Sequence, residues 1–96
     1  MIAASKLEPD WEDEFDQLAE QNPEALLADG LERAYIGVTM NQHHTQVACY
    51  DFWKCVEILE ADGMTEDEAI EFLEFNTLGA YVGDHGPLFI GRFSRG

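Results

Sequence analysis

The sequence predicts an α+β fold: a small, mainly antiparallel three-stranded sheet with an αα-hairpin on one face and short acidic helices at the N-terminal end. Three observations predict it. Two runs of β-forming residues flank a turn, two amphipathic runs with helix start and stop signals follow directly, and another β-rich run comes near the C-terminus. Strands and helices segregated in this way are typical of α+β domains.

The N-terminal segment, residues 1–32, is acidic and predicted to be helical. Apolar residues at i, i+4 and i+7 predict a first short helix: Trp11, Phe15 and Leu18. A second is predicted from Asn22 to Gly30, because asparagine is a good N-cap and Pro23 suits the first helical position. The sequence leaves open whether these helices pack on the rest of the chain or stand apart as an arm.

Residues 33–93 are predicted to form the α+β core. The β-rich run RAYIGVTM predicts a strand at 33–40, and TQVACY predicts its hairpin partner at 45–50, after a turn. LFIGRF at 88–93 predicts a third strand that could pair with the hairpin. The tail after it, residues 94–96, is expected to fray.

Both helices of the predicted αα-hairpin have local start and stop signals. Asp51 is a favourable N-cap for the first, and Gly63 can end it in the left-handed conformation. Thr65 and Glu68 have the spacing of a capping box at the start of the second, and Gly79 is its expected end. The apolar faces recur at three- and four-residue spacing: Phe52, Cys55, Val56 and Leu59, then Ala69, Ile70, Phe72 and Leu73.

Length and charge bound the class of protein. Ninety-six residues are expected to make one domain, residues 1–96. Twenty Asp and Glu against five Lys and Arg give a net charge of −15. This charge argues against direct binding of nucleic acid and against anionic membranes, and suits either a basic protein partner or simple solubility. No apolar run approaches the ~20 residues that a membrane span needs, and the N-terminal residues have no apolar signal-peptide core, so a cytoplasmic location is expected.

No catalytic, metal or cofactor constellation is expected. His43 and His44 are adjacent in a turn, and His85 lies in another, without metal-ligand spacing. Cys49 and Cys55 are expected to be buried core thiols, because a nucleophilic cysteine needs a cationic neighbour to lower its pKa. Phosphate-loop and hydrolase motifs are absent from the sequence, so we expect that the protein is not an enzyme.

Rows of carboxylates are the remaining candidate site. They fall at helical spacing in three groups: Glu12, Asp13, Asp16 and Glu20; Glu57 and Glu60; and Asp67, Glu71 and Glu74. Two interpretations stay open. The rows can serve solubility alone, or they can imitate the phosphates of a nucleic acid and bind the basic surface of a nucleic-acid-binding protein.

A string of residues resembles a family of short phage-encoded proteins. It consists of YDxxKCVExL from Tyr50, DGM from Asp62, EAxEFxEFN from Glu68, GAYVG from Gly79 and PxF from Pro87. The resemblance covers roughly residues 33–93 and brings no catalytic residue with it. It implies a phage origin, and by analogy small acidic phage proteins are often inhibitors of host nucleic-acid enzymes or host immunity, anti-CRISPR and antirestriction proteins included.

Three hypotheses follow. The first is a non-enzymatic phage inhibitor that binds a basic host protein, such as a nucleic-acid-binding defence complex, through the carboxylate rows in the host cytoplasm. The alternative is a small structural or adaptor protein that associates, as a homodimer or with a partner, through exposed aromatics at Trp53, Phe75 and Tyr81. A hydrolase or thiol enzyme is the third.

Overall fold

The computed structural model describes residues 11–75 and 83–95 of the chain. Its elements are, in order, α1 (Trp11–Gln21), a 3₁₀ turn (Glu32–Ala34), β1 (Tyr35–Met40), β2 (Gln46–Asp51), α2 (Phe52–Ala61), α3 (Glu66–Leu73) and β3 (Leu88–Ile90). The helix end predicted at Gly79 and the aromatic Tyr81 lie outside the described residues.

The predicted α+β class with a three-stranded sheet is confirmed, and its pairing is mixed. Strand order is β1-β2-β3. β1 and β2 form the expected antiparallel hairpin, with a register irregularity between Tyr35 and Gly37, whereas β3 pairs with β2 in parallel. A parallel neighbour needs a long crossover, and here α2, α3 and the segment after them supply it.

The central strand β2 is buried on both faces. Val47, Ala48, Cys49 and Tyr50 are all buried, although their side chains alternate between the faces. Ala48 and Tyr50 belong to the main core cluster, in which they meet Val56 of α2 and Leu73 of α3. The helical pair therefore covers the face of the sheet that carries Tyr50.

The described part of the N-terminal segment, residues 11–32, packs on this core and does not stand apart as an arm. Leu18 of α1 and Leu31 are buried in the main cluster. Helix α1 contacts both β1 and β2. The Tyr35 hydroxyl donates a hydrogen bond of 2.6 Å to Glu14, and this contact fixes the orientation of α1 on the sheet.

The helix predicted from Asn22 to Gly30 is wrong, because the segment is irregular. Its polar groups bind distant parts of the chain. The Asn22 side chain donates to the Gln46 carbonyl at 2.8 Å, Leu26 N–H donates to the His85 carbonyl at 2.9 Å, and Ala28 N–H donates to the Tyr50 hydroxyl at 3.0 Å. These long-range hydrogen bonds satisfy the backbone in place of helical ones, so tertiary contacts override the local start signal.

The helical pair begins as predicted. The Asp51 carboxylate accepts from Lys54 N–H at the start of α2, and Thr65 and Glu68 form both hydrogen bonds of the capping box at the start of α3. Gly63 has φ +109° in the turn between the helices, a conformation that side chains with a Cβ rarely adopt. The capping hydrogen bonds that the sequence predicted all join residues three positions apart.

The third strand is shorter than predicted. It ends at Ile90, because the chain then turns against the start of α2. The Trp53 indole N–H donates to the Arg92 carbonyl at 3.0 Å, and a Cβ added at Gly91 would lie only 3.0 Å from the Cβ of Phe52. Gly91 therefore permits a close approach that carries the C-terminal residues onto the helical pair.

Candidate functional site

Helix α1 presents the first row of carboxylates to solvent. Phe15 packs edge-on against Tyr35 with ring centroids 4.9 Å apart, and Leu18 is buried, so the opposite side of α1 faces outward. The exposed acidic residues of that side are Glu12, Asp13, Asp16 and Glu20. Three of them are spaced by four residues, which places successive carboxylates about 6 Å apart along the helix axis.

Helix α3 presents the second row. Its buried side consists of Ala69 and Leu73, which have no exposed area. The three carboxylates predicted on this helix are all exposed: Asp67, Glu71 and Glu74, the last at the C-cap. The two rows are carried by different layers, because α1 packs on the sheet whereas α3 packs on α2.

The third predicted group, on α2, is engaged within the protein. Glu57 lies 3.7 Å from the Lys54 ammonium. Glu60 accepts from Arg95, whose guanidinium also reaches Glu66 on α3 at 2.6 Å. These hydrogen bonds lower the pKa of Glu60 below its ordinary value and raise the pKa of Arg95.

The Arg95 contact corrects the expectation of a frayed tail. Its side chain bridges the two helices of the pair, and the Trp53–Arg92 hydrogen bond holds the backbone that leads to it. No sequence signal links a residue at position 95 with carboxylates about 30 positions earlier, so this ion pair could not be predicted. Glu60 and Glu66 are consequently less available to a partner than the exposed carboxylate rows of α1 and α3.

The histidines do not meet one another. His43 lies 3.4 Å from Asp84, and His85 lies 3.4 Å from Glu24. His43 and His44 are exposed as expected, whereas His85 is half-buried. Within residues 11–75 and 83–95, no group of three histidine, cysteine or acidic side chains is placed to hold a metal ion.

Both cysteines are buried free thiols, as predicted. Burial raises the pKa of Cys49 above its ordinary value. Burial, with a further contribution from the negative charge of Asp51, raises the pKa of Cys55 to about 12. A raised pKa lowers the fraction of reactive thiolate at neutral pH, so neither environment activates a nucleophile.

The predicted aromatic patch is divided between two separate grooves. Trp53 is half-buried and lines an open groove of about 450 Å³ with Ile36 and Ile90. Phe75 is 77% exposed and lines another open groove, of about 360 Å³, with Met64. The third residue of this prediction, Tyr81, lies outside the described residues.

Sequence reasoning missed an apolar edge of the sheet. Ile36, Val38 and Met40 of β1 are all exposed. Alternation along a strand does not reveal which strand lies at the edge, because strand order is set by tertiary packing.

The described part of the chain thus offers two exposed carboxylate rows and an apolar sheet edge at β1, the longer of the two edge strands. None of its helices is long and apolar enough to cross a membrane. Comparisons with models of protein families, with curated proteins and with solved structures found no match to this chain.

Proposed function

We propose that this protein is a phage-encoded, non-enzymatic inhibitor that binds a basic surface of a host defence or nucleic-acid-binding protein in the host cytoplasm. The phage origin rests on the resemblance of residues 33–93. The mode of binding rests on the exposed carboxylates of α1 and α3 and on the net charge of −15. Anti-CRISPR and antirestriction inhibitors are the classes that this description fits, with nucleic-acid mimicry as the mechanism.

The observation that carries the proposal is where the carboxylates lie on the helices. Acidic residues in a first turn stabilise a helix, but at the C-terminal end they oppose the helix dipole, at about 0.3–1 kcal/mol each. Glu20 lies in the last turn of α1, and Glu71 lies in the last α-helical turn of α3, with Glu74 in the π-helical residues that follow it. Neither helix has a basic residue in its last turn. Among the described residues, no Lys or Arg pairs with these three.

Solubility alone gives no reason for this placement, because carboxylates anywhere on the surface would serve it equally. A row that continues past the favourable first turn extends the charged face instead. Helix α1 holds its row, from Glu12 to Glu20, over about 12 Å, given a rise of 1.5 Å per residue. A basic groove that follows a phosphate backbone presents cations over comparable lengths, so complementary potentials support fast, salt-sensitive association.

Charge reversal within a row tests the proposal. Purified basic nucleic-acid-binding defence proteins of a candidate host are loaded with a fluorescent duplex, and displacement by this protein is measured. The variants Asp16→Lys/Glu20→Lys and Glu71→Lys/Glu74→Lys alter one row each. We expect at least one of them to weaken displacement by about tenfold or more, because each reversal replaces an attraction with a repulsion.

The matched control is Asp29→Lys/Asp62→Lys, which changes the net charge equally at exposed loop positions outside both rows. It is expected to weaken displacement by less than about threefold. Equal losses in all three variants would show that only total charge matters and that the rows form no site. Binding that is unchanged at about 0.5 M salt would exclude mimicry, because such salt screens exposed charge pairs.

The charge reversal in the α3 row is expected to weaken binding but to raise the stability of the folded protein. Glu71→Lys/Glu74→Lys replaces two carboxylates with two cations in the C-terminal part of α3, where the helix dipole favours positive charge. We expect the free energy of unfolding to rise by about 1 kcal/mol in urea titrations followed by circular dichroism. A variant that unfolds at lower urea than the parent chain would mean that these carboxylates stabilise α3, and that their position has a structural reason.

A further inference from the structure

Strand β1 is one edge of the sheet, and the three-residue strand β3 is the other. The strand order places β2 on one side of it, and no described strand pairs with its other side. Alternate N–H and C=O groups along an edge strand point away from the sheet, and an extended chain can pair with them. β1 is regular from Gly37 to Met40, so this stretch can accept another strand.

The edge has few of the features that usually prevent such pairing. Its sequence, YIGVTM, contains no charged residue and no proline. Ile36, Val38 and Met40 are 55%, 41% and 55% exposed. The register irregularity near Tyr35 affects only the beginning of the strand.

Carboxylates of α1 flank this apolar edge. Val38 lines an open groove of about 470 Å³ together with Glu14 and Glu20 of α1. Val38 and Met40 pair with Ala48 and Gln46 and share their face, the one on which α1 lies. A residue added opposite Val38 would therefore enter the acidic groove.

We propose that the β1 edge binds an extended basic segment of a partner protein by strand addition. Main-chain hydrogen bonds form along Gly37 to Met40. Lysine or arginine stems on the α1 face pack over Val38 and Met40, and their charged ends reach Glu20. The basic character of this partner rests on the proposed function, whereas the binding mode rests on the edge itself.

A second copy of this chain fits the edge less well. Antiparallel pairing of two β1 strands about a two-fold axis would place both α1 helices on the same side of the joined sheet. Glu14 and Glu20 of the two copies would then adjoin one another, and each copy already carries a charge of −15. A cationic segment replaces this repulsion with attraction.

The probe for the test is a blocked octapeptide that alternates lysine and valine. Its control has the same composition, with the lysines and the valines in two separate blocks. Binding is measured by calorimetry at about 50 mM salt, where charge attraction is weakly screened, and by amide chemical shifts. We expect the alternating peptide to bind at least about tenfold more tightly than the block peptide and to shift the amides of β1.

Two further measurements locate the mode. Val38→Lys is expected to weaken binding of the alternating peptide by about tenfold or more. Ile90→Lys, at an exposed apolar position of β3, is expected to change the affinity for this peptide less than twofold. Two further peptides carry N-methyl groups on either the odd-numbered or the even-numbered backbone nitrogens. Only one of these two peptides is expected to lose binding, because only one edge of the peptide faces β1. This readout needs no change in the protein.

The outcomes separate the binding mode from the proposed function. Equal binding of the alternating and block peptides would overturn strand addition while leaving the attraction for basic partners intact. Binding of neither peptide would overturn strand addition and remove the support for an acidic interaction surface as well. A dimer in sedimentation that Val38→Lys dissociates would assign the edge to a second copy and overturn the assignment to a basic segment.

Discussion

Replacing Tyr50 with alanine is expected to cost about 4 kcal/mol of the free energy of unfolding. Tyr50 is fully buried in β2 and joins three parts of the fold. Its ring stacks on Phe89 of β3, with centroids 5.5 Å apart, and meets Tyr35 of β1 edge-on at 6.0 Å. Its hydroxyl accepts from the Ala28 N–H of the N-terminal segment. Because the total free energy of unfolding of small domains is about 5–15 kcal/mol, the alanine variant should be only marginally stable at room temperature.

Tyr50→Phe separates the ring from the hydroxyl. It keeps the aromatic packing and leaves the Ala28 N–H without its acceptor, so we expect a loss of about 1–2 kcal/mol. Urea titrations followed by circular dichroism measure both variants. An alanine variant that is no less stable than the phenylalanine one would show that Tyr50 does not unite the sheet with the N-terminal segment.

The parts of the fold that the sequence predicted are those whose signals lie within a few residues. The capping box of Thr65 and Glu68 and the N-cap Asp51 define the helical pair by contacts three residues apart. The hairpin of β1 and β2 follows from two β-rich runs and the turn between them. Periodicity also placed α1, because Phe15 and Leu18 face the core.

The parts that could not be predicted depend on residues far apart in the chain. Asn22 reads locally as an N-cap, yet its amide binds the Gln46 carbonyl 24 positions away. The parallel pairing of β3 with β2 joins residues almost 40 positions apart, and no local pattern encodes its direction. Local propensity is a weak prior that such tertiary contacts override.

The candidate surfaces divide in the same way. Spacing alone placed the exposed carboxylates of α1 and α3 on helix faces, where the structure has them. It could not show that Arg95 binds Glu60, because the guanidinium arrives from the C-terminal tail. Nor could it show that β1 is an edge. The sequence therefore predicts the charge of an interaction surface. It does not predict which carboxylates are already paired within the protein, or which apolar residues lie beside them.

Stability is expected to fall steeply at alkaline pH, because the core holds weak acids whose folded pKa values are raised. Burial raises the pKa of Tyr35, Tyr50 and Cys49, and raises that of Cys55 to about 12 from an ordinary value of 9.0. The folded state then binds the Cys55 proton more tightly than the unfolded state does. This stabilisation is fully present below pH 9 and is lost as the pH rises toward 12, by up to about 1.4 kcal/mol per pH unit for one proton.

Cys55→Ala isolates that contribution. The variant lacks the titrating thiol, so its free energy of unfolding should fall less between pH 9 and 11 than that of the parent chain, by up to about 1.4 kcal/mol per pH unit. Alkylation of Cys55 at pH 8, followed by mass spectrometry, reports its burial and its thiolate fraction together. Its thiolate fraction should be roughly a thousandfold smaller in the folded protein than in the urea-unfolded control, which slows the reaction accordingly. Labelling of the folded chain as fast as the unfolded one would reveal an activated thiol, and would favour the thiol-enzyme hypothesis over an inhibitor that acts through its surface alone.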